Sequence, residues 1–359
     1  MIRCDALVAG GGPAGSTCAR ELRRAGWDVI VADRARFPRD KVCAGWLTPR
    51  VFDLLELDPA EYRASGLTLQ DITAFRTGLI GRAPIETQYP GVVSYAIRRC
   101  EFDHFLLRRA AARVLEGTPV ASLRRRGATW IVNEEIETPV IVGAGGHFCP
   151  VARHLQGRGS AWLPVVAKEA EFRLDPAEAE RMPVAPELFF CRDLEGYGWC
   201  VRKGAYLNVG LGRRGHRDFA AHLAGFLSFL RTRYGLAAAP GRTWKGHAYL
   251  ASGSGPRPLA AAGAVVVGDA AGLAYPESGE GISPAIESGR LAAATLKAVN
   301  GRYGADDLQT YADAIRRSYP PVARNAAPVR AAMVAIGRLL LGSPTLTRRI
   351  VLDRWFLRA

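Results

Sequence analysis

The stretch DALVAGGGPAGSTCARELRRAGWDVIVAD, residues 5–33, decides the fold. Asp5 to Ala9 is a short apolar strand. Gly10-Gly11-Gly12-Pro13-Ala14-Gly15 follows, and a helical pattern then runs through Ala19, Leu22 and Ala25 to a stop at Gly26. Trp27 to Ala32 is a second strand, with Asp33 directly after it. Strand, glycine turn, helix and strand in this order make a βαβ unit with G-x-G-x-x-G at its first turn. Gly10 permits the sharp turn, Gly12 lets a pyrophosphate approach the backbone, and Gly15 lets helix and strand pack closely. The helix start offers free N–H groups and the positive end of its dipole to phosphates. Asp33 can accept hydrogen bonds from an adenosine ribose and repels a 2′-phosphate, so the motif points to FAD or NAD rather than NADP.

The rest of the chain sets bounds on that reading. Its 359 residues, 48% of them hydrophobic, suffice for two or three interwoven lobes and exclude a disordered chain or a small disulfide scaffold. No apolar run reaches the roughly 20 residues of a spanning helix. The N-terminus leads straight into a strand pattern, so no signal peptide is expected. The net charge of +14 suits anionic partners, or simply a surface rich in arginine. The basic residues are dispersed rather than gathered with aromatics, so nucleic-acid binding is not expected. Seven cysteines stand scattered with no C-x-x-C pair. Neither a metal site nor a disulfide framework is expected, and a reduced cytoplasmic setting fits.

A second glycine-rich site begins near residue 263. Gly263 to Val267 reads as a strand ending in Gly268-Asp269, and an acid at such a strand end points into the crevice where parallel sheets bind ligands. Tyr275-Pro276-Glu277-Ser278-Gly279-Glu280-Gly281-Ile282 then opens a long helix, roughly Ser283 to Ala298. Its first N–H groups can face an electron-rich group.

Taken together, Gly10-x-Gly12-x-x-Gly15, Asp33, Arg99 within Arg99-Cys100-Glu101-Phe102-Asp103, and Gly268-Asp269 resemble the flavoproteins of the p-hydroxybenzoate hydroxylase fold. Lys41-Val42-Cys43-Ala44-Gly45, Tyr197-Gly198-Trp199-Cys200 and Gly268-Asp269-Ala270-Ala271-Gly272 with Gly279-Glu280-Gly281-Ile282 resemble the geranylgeranyl reductase family, including its CbrA-type branch. The resemblance spans residues 1 to 300. It implies an α/β fold: a Rossmann-type FAD-binding lobe, an antiparallel-sheet substrate lobe and, beyond them, a helical tail. It also implies FAD. Gly10, Gly12, Pro13, Ala14 and Gly15 are then expected at the pyrophosphate, with Asp33 and Arg34 at the adenosine end. Cys43, Ala44 and Gly45 are expected beside the isoalloxazine, and Arg99, Gly268 and Asp269 near the ribityl and phosphate oxygens. Gly279, Gly281 and Ile282 are expected at the ring edge.

Two departures stand out. The family's Ala-Asp-Gly becomes Gly143-Ala144-Gly145-Gly146, without the acid. The family's Tyr-x-Trp-x-Phe-Pro, which lines the lipid cavity, becomes Tyr197-x-Trp199-x-Val201-Arg202. An arginine there suits an anionic or polar substrate.

The nucleotide lobe is expected from residues 1–75, 95–160 and 255–300, and the substrate lobe from 76–94 and 161–254. Glu187 to Arg192, Gly196 to Arg202 and Ala205 to Gly212 read as an antiparallel meander roofing the flavin. Phe219 to Tyr234 reads as a helix whose apolar stripe packs into a core. Residues 301–359 read as helices over Asp306–Tyr319, Val322–Leu341 and Pro344–Phe356. There Met333, Ile336, Leu339, Leu340 and Leu341 mix with Arg330, Arg338, Arg348 and Arg349. These helices either pack on the body, the favoured reading, or rest on the inner face of an anionic membrane. Arg124-Arg125-Arg126 reads as a solvated turn.

A flavin reductase needs electrons, a double bond and a proton. No second nucleotide-binding βαβ unit is expected, so NAD(P)H docks transiently or a redox protein donates. Cys43, Tyr197, Trp199 and Tyr275 are the candidates for contact with substrate or for proton transfer. His104, His147 and His154 have no recognisable partner and read as structural. Three functions follow: an FAD-dependent oxidoreductase reducing C=C in a hydrophobic, isoprenoid-like or other unsaturated substrate, neutral or anionic; a monooxygenase using NAD(P)H and O2; or a flavin-binding protein without turnover. The first is favoured.

Overall fold

A computed structural model describes residues 1–156, 164–235, 243–252, 257–320 and 327–358. The expected lobe divisions at residues 160 and 255, the start of the tail helix at Val322 and the side chains of Arg330 and Met333 lie outside the described residues.

The βαβ reading holds. A six-stranded sheet runs in the order Ala260–Ala261, Ala264–Val266, Val140–Gly143, Ala6–Ala9, Val29–Asp33, Arg113–Glu116. All neighbours are parallel except the first pair. Val8 lies between Val142 and Val31, and Val142 pairs in turn with Val265. Continuous Val and Ile runs suit strands covered on both faces, and each fully buried side chain contributes roughly 1.5–3 kcal/mol. The chain order reverses on either side of Ala6–Ala9, which opens a crevice at the carboxyl ends of these strands.

Two helices lie backbone against backbone over that crevice. Helix Pro13–Arg24 starts at Gly12, and helix Ile282–Ala298 crosses it. A Cβ on Gly289 would stand 2.4 Å from the Ala14 carbonyl oxygen. One on Gly15 would stand 1.9 Å from the Gly10 oxygen, and Gly10 itself holds φ at +120°. No side chain fits at Gly15 or Gly289, so the contact is specified by the absence of Cβ atoms.

The meander is part of a larger seven-stranded sheet, ordered Lys245–Tyr249, Val165–Arg173, Tyr206–Arg214, Gly196–Lys203, Glu187–Phe190, Ala74–Leu79, Ile85–Gln88. Helix Phe219–Tyr234 seals one face with buried Leu223, Phe226 and Leu230, as its stripe predicts. A Cβ on Gly198 would strike the Phe226 ring at 2.5 Å. Tyr197 and Trp199 alternate with it and face the other way, toward the crevice. One further G-x-G-x-x-G string exists, Gly210 to Gly215. It runs along strand Tyr206–Arg214 and opens no helix, and Gly210 there makes room for the Trp199 ring.

Arg124-Arg125-Arg126 is a strand rather than a turn. Leu123–Arg126 pairs with Thr129–Val132, and Arg124 and Arg126 reach Glu134 and Glu137. The tail forms helices Ala305–Ser318 and Ala327–Leu340, a short turn at Pro344–Leu346 and a wide π-type helix over Thr347–Leu357. Phe356 is buried among Trp46, Tyr197 and Phe190, at 5.5, 5.5 and 6.1 Å between ring centroids. The end of the tail therefore packs on the seven-stranded sheet, whereas helix Ala305–Ser318 packs on the six-stranded one, where the Tyr311 hydroxyl donates to the Val266 carbonyl. Among the described residues no helix is long and apolar enough to cross a membrane.

The helix contact yields a prediction. Gly289→Val should cost about 1–3 kcal/mol through overpacking, or prevent folding, in urea unfolding of the purified chain. Gly225→Val on the outer helix, whose Cβ meets nothing within 4 Å, should cost far less.

Candidate functional site

The crevice and the sheet face enclose one cavity of about 1490 Å³. Gly12 and Asp269 both line it, so the two glycine-rich stretches meet at a single site.

At the nucleotide end the backbone makes the surface. Gly12 has an ordinary φ of −76°, and a Cβ there would meet nothing nearer than Arg39 Nη2 at 3.4 Å. The protein leaves room for a side chain at Gly12 that it does not leave at Gly10 or Gly15. The helix start at Gly12 has no side-chain cap, and Gly12 and Ala14 line the cavity, so a ligand there can take up N–H groups of the first turn. Asp33 accepts hydrogen bonds from Gly11 N and Ala35 N, both at 2.8 Å, and lines the cavity beside Arg34. A backbone cradle at a helix start with an acid at the next strand end fits the diphosphate and ribose of FAD.

The middle of the cavity is charged. Asp103, fully buried, takes a bidentate pair from Arg99 at 2.9 and 3.0 Å and a third contact from Arg39 at 3.2 Å. Burial works against the Arg99 guanidinium, but Asp103 and the Cys43 thiol hold its affinity for the proton above the usual range. Asp269 lies 3.6 Å from Lys41 Nζ and 3.7 Å from His247 Nε2, and Lys41 Nζ and His247 Nε2 are themselves in hydrogen-bond contact. Burial would raise the Asp269 carboxyl, yet His247, Lys41 and Arg99 together hold it well below the usual carboxylate range. Burial lowers both Lys41 and His247.

Under the Cys43-Ala44-Gly45 turn lies a buried polar network. Glu169 accepts the Cys43 N–H at 2.7 Å. Glu171, two residues along the same strand, takes Lys203 Nζ at 2.7 Å, Arg98 Nε at 3.0 Å and Asn208 Nδ2 at 3.2 Å. Asn208 in turn accepts the Trp199 indole N–H at 2.7 Å. A Cβ on Gly45, φ +68°, would stand 2.4 Å from Lys203 Nζ, so only glycine lets the turn rest on this network. The network fixes both the turn and the Trp199 ring.

The far end is aromatic. Trp46, Phe190, Tyr197, Trp199, Leu341 and Trp355 line it, and Val334 and Gly337 of helix Ala327–Leu340 close one side. The Tyr197 hydroxyl donates to the Ser278 carbonyl, which ties the sheet to the loop before Gly279. Tyr275 lies under the Arg358 guanidinium, 3.2 Å from its ring centroid, and Arg358 pairs with Glu277 at 3.1 Å.

Most of the residues singled out in the sequence therefore converge. Gly10, Gly12, Pro13, Ala14, Asp33, Arg34, Cys43, Ala44, Gly45, Arg99, Asp269, Gly279, Gly281 and Ile282 line the cavity, as do Tyr197, Trp199 and Tyr275. Gly15 and Gly268 do not. Gly15 backs onto Gly10, and Gly268, φ +60°, backs onto Ala14 and Ala285, so both serve packing. Arg202 also lies elsewhere, donating to the Ala179 and Gly204 carbonyls. The cationic wall comes instead from Arg213 and Arg214. At the missing acid, Gly145, an added Cβ would stand 3.1 Å from Cys149 Cα, and a Cβ on Gly10 would stand 2.9 Å from the Gly145 nitrogen, so this position serves close backbone contacts. His104 and His154 pack on Phe37 and Trp130, whereas His147 lines the cavity. Lys41, Glu169, His247 and Tyr249 were given no role from the sequence. Lys41 lay inside a quoted motif; the others carry no local signal.

A model of the FAD binding domain family matches residues 3–156. The geranylgeranyl diphosphate reductase of Rhodobacter capsulatus is 31% identical over 317 residues, 81% of this chain and 74% of that protein. The chain belongs to the geranylgeranyl reductase family of FAD-dependent oxidoreductases. A menaquinone reductase of Mycolicibacterium smegmatis is 30% identical over 319 residues, 81% of this chain and 76% of its own. The fold of this family member is also that of a geranylgeranyl bacteriochlorophyll reductase-like protein from Thermoplasma acidophilum. The two share a TM-score of 0.76 at 22% identity, over 97% of this chain and 90% of that one. The protein is an FAD-dependent oxidoreductase.

Burial, the largest effect, pushes the Glu169 carboxyl up to about 7, against the pull of Lys203 and the Cys43 N–H. A raised carboxyl binds more protons folded than unfolded, so its contribution to stability is lost as pH rises from 4.5 to about 7. Glu169→Gln should therefore gain on the wild type through that window and track it in parallel above it, measured by urea unfolding across pH.

Proposed function

We propose that the protein reduces a carbon–carbon double bond in a hydrophobic, isoprenoid-type substrate. The observation that carries this reading is the continuity of the cavity. Its nucleotide cradle and its aromatic end are one space, and about 1490 Å³ exceeds the 300–1,000 Å³ usual for one small ligand. Two molecules can lie there end to end. Tyr197 and Trp199 face inward with Phe190, Leu341 and Trp355 and offer an apolar chain a wall, while Arg213 and Arg214 bring cationic groups to the same cavity that suit an anionic head. The names of the relatives, reductases of geranylgeranyl diphosphate and of menaquinone, support the same substrate class.

In this reading Gly12, Ala14 and Asp33 hold the diphosphate and ribose of FAD. Asp269 and Arg99 serve its middle, and Cys43 to Gly45 with Gly279 to Ile282 frame its reactive end. FAD, once reduced, supplies the hydride. The chain's part is to place the double bond and exclude water, with Tyr197 and Trp199 as walls fixed through Ser278 and Asn208. Electrons come from NAD(P)H docking transiently or from a redox protein. A lipid surface is a further partner in this reading. Helix Ala327–Leu340 turns Val334 toward the cavity while Ile336 and Leu339 stand 57% and 68% exposed.

The test is anaerobic. Chemically reduced holoenzyme mixed with geranylgeranyl diphosphate or a menaquinone should regain its oxidised flavin absorption while the product gains two hydrogens by mass. Flavin that stays reduced with both, together with substrate-stimulated NAD(P)H oxidation and O2 uptake in air, would replace this reading with a monooxygenase.

A further inference from the structure

Adding hydrogen across a double bond takes a hydride and a proton, and the chain must hold the proton. Four cavity groups are relevant. Tyr197 spends its hydroxyl proton on the Ser278 carbonyl. Tyr275 is capped by Arg358 and stacks on Tyr319 at 5.9 Å. The Cys43 sulfur sits in a tight turn, accepting the Gly45 N–H at 3.4 Å with Arg99 alongside.

Tyr249 differs from all three. It ends the edge strand Lys245–Tyr249, which pairs with Val165–Arg173, so it reaches the cavity from the sheet. A Cβ built on Gly279 would stand 2.3 Å from the Tyr249 hydroxyl and 3.9 Å from that of Tyr197. Both phenols thus converge on the loop that opens helix Ile282–Ala298. Among the described residues the Tyr249 hydroxyl donates to no protein group, and it is not sealed from the cavity. Gly279, φ +71°, is the residue that admits it. Burial keeps the phenol protonated far above neutral pH, the state a donor requires.

We propose that Tyr249 is a catalytic residue that donates its hydroxyl proton to the substrate carbon that does not receive the hydride. The inference rests on the reductase reading. The balance is complete. The C=C π bond breaks, and one carbon gains hydride, two electrons and a hydrogen, from reduced FAD. The other carbon gains the proton as the Tyr249 O–H bond breaks. The alkene is reduced by two electrons, the reduced flavin is oxidised by two, and the phenolate recovers a proton from water.

Tyr249→Phe tests this while keeping the ring. FAD titrated into the variant, followed by flavin fluorescence, should give a dissociation constant within about twofold of wild type. Reoxidation of reduced flavin by geranylgeranyl diphosphate or a menaquinone, without oxygen, should slow about a hundredfold or more. The residual rate, which must draw its proton from water, should show a solvent deuterium isotope effect at least as large as that of the wild type. A variant that binds FAD normally and reduces substrate at the wild-type rate, with the same isotope effect, overturns the assignment. So does one whose slow reduction shows a smaller isotope effect than the wild type, or one that binds FAD much more weakly, since Tyr249 would then be structural. A wild type that reduces neither substrate overturns the reductase reading itself, and the role of Tyr249 with it.

Discussion

The site depends on one close approach, helix Pro13–Arg24 lying backbone to backbone against helix Ile282–Ala298. Gly289 backs onto the Ala14 carbonyl, and Gly15 and Gly268 close the remaining gaps. That contact brings Asp269 and the Gly279–Ile282 loop to the start of the first helix, though more than 250 positions separate them in the chain. Without it there is a nucleotide cradle but no cavity joining cradle to substrate.

The second sheet gives that cavity its chemical gradient. Its strands place Glu169, Glu171 and Lys203 under the Cys43 turn and Tyr197 and Trp199 over the apolar end. His247 and Tyr249, on the edge strand, reach across toward Asp269 and Gly279. The tail completes the enclosure. Phe356 plugs the aromatic cluster, and Arg358 clamps Tyr275 and Glu277. Polar groups that would be costly to bury alone are satisfied by one another, which makes turn, indole and carboxylates a single rigid unit.

Short-range features were legible in the sequence because their causes are local. The βαβ unit announces itself by glycine spacing and β-branched runs. The meander shows in its alternation, and helix Phe219–Tyr234 in its apolar period. What escaped depends on pairing across the chain. Val165–Arg173 carries Lys168, Glu169 and Glu171, a pattern that looks like a wet surface. The partners Lys203, Arg98 and Asn208 at Glu171 and the Cys43 N–H at Glu169 make its burial tolerable. Lys245–Tyr249 has no strand alternation, so its cavity-facing His247 and Tyr249 carry no sign of their role. Arg202 misled because its family position names a pocket wall, while its own side chain finds carbonyl acceptors on Ala179 and Gly204. Arg124 to Arg126 misled because a strand at a sheet edge can be charged at all but one position.

The central claim is that the space before Gly12 belongs to FAD and not to the protein. Titration of FAD into the chain carrying Gly12→Val, beside the wild type, measures this most directly. The account predicts one FAD per wild-type chain. It also predicts a variant with native circular dichroism and unfolding midpoint whose FAD binding is at least about tenfold weaker. A folded variant that binds FAD as tightly as the wild type would contradict it.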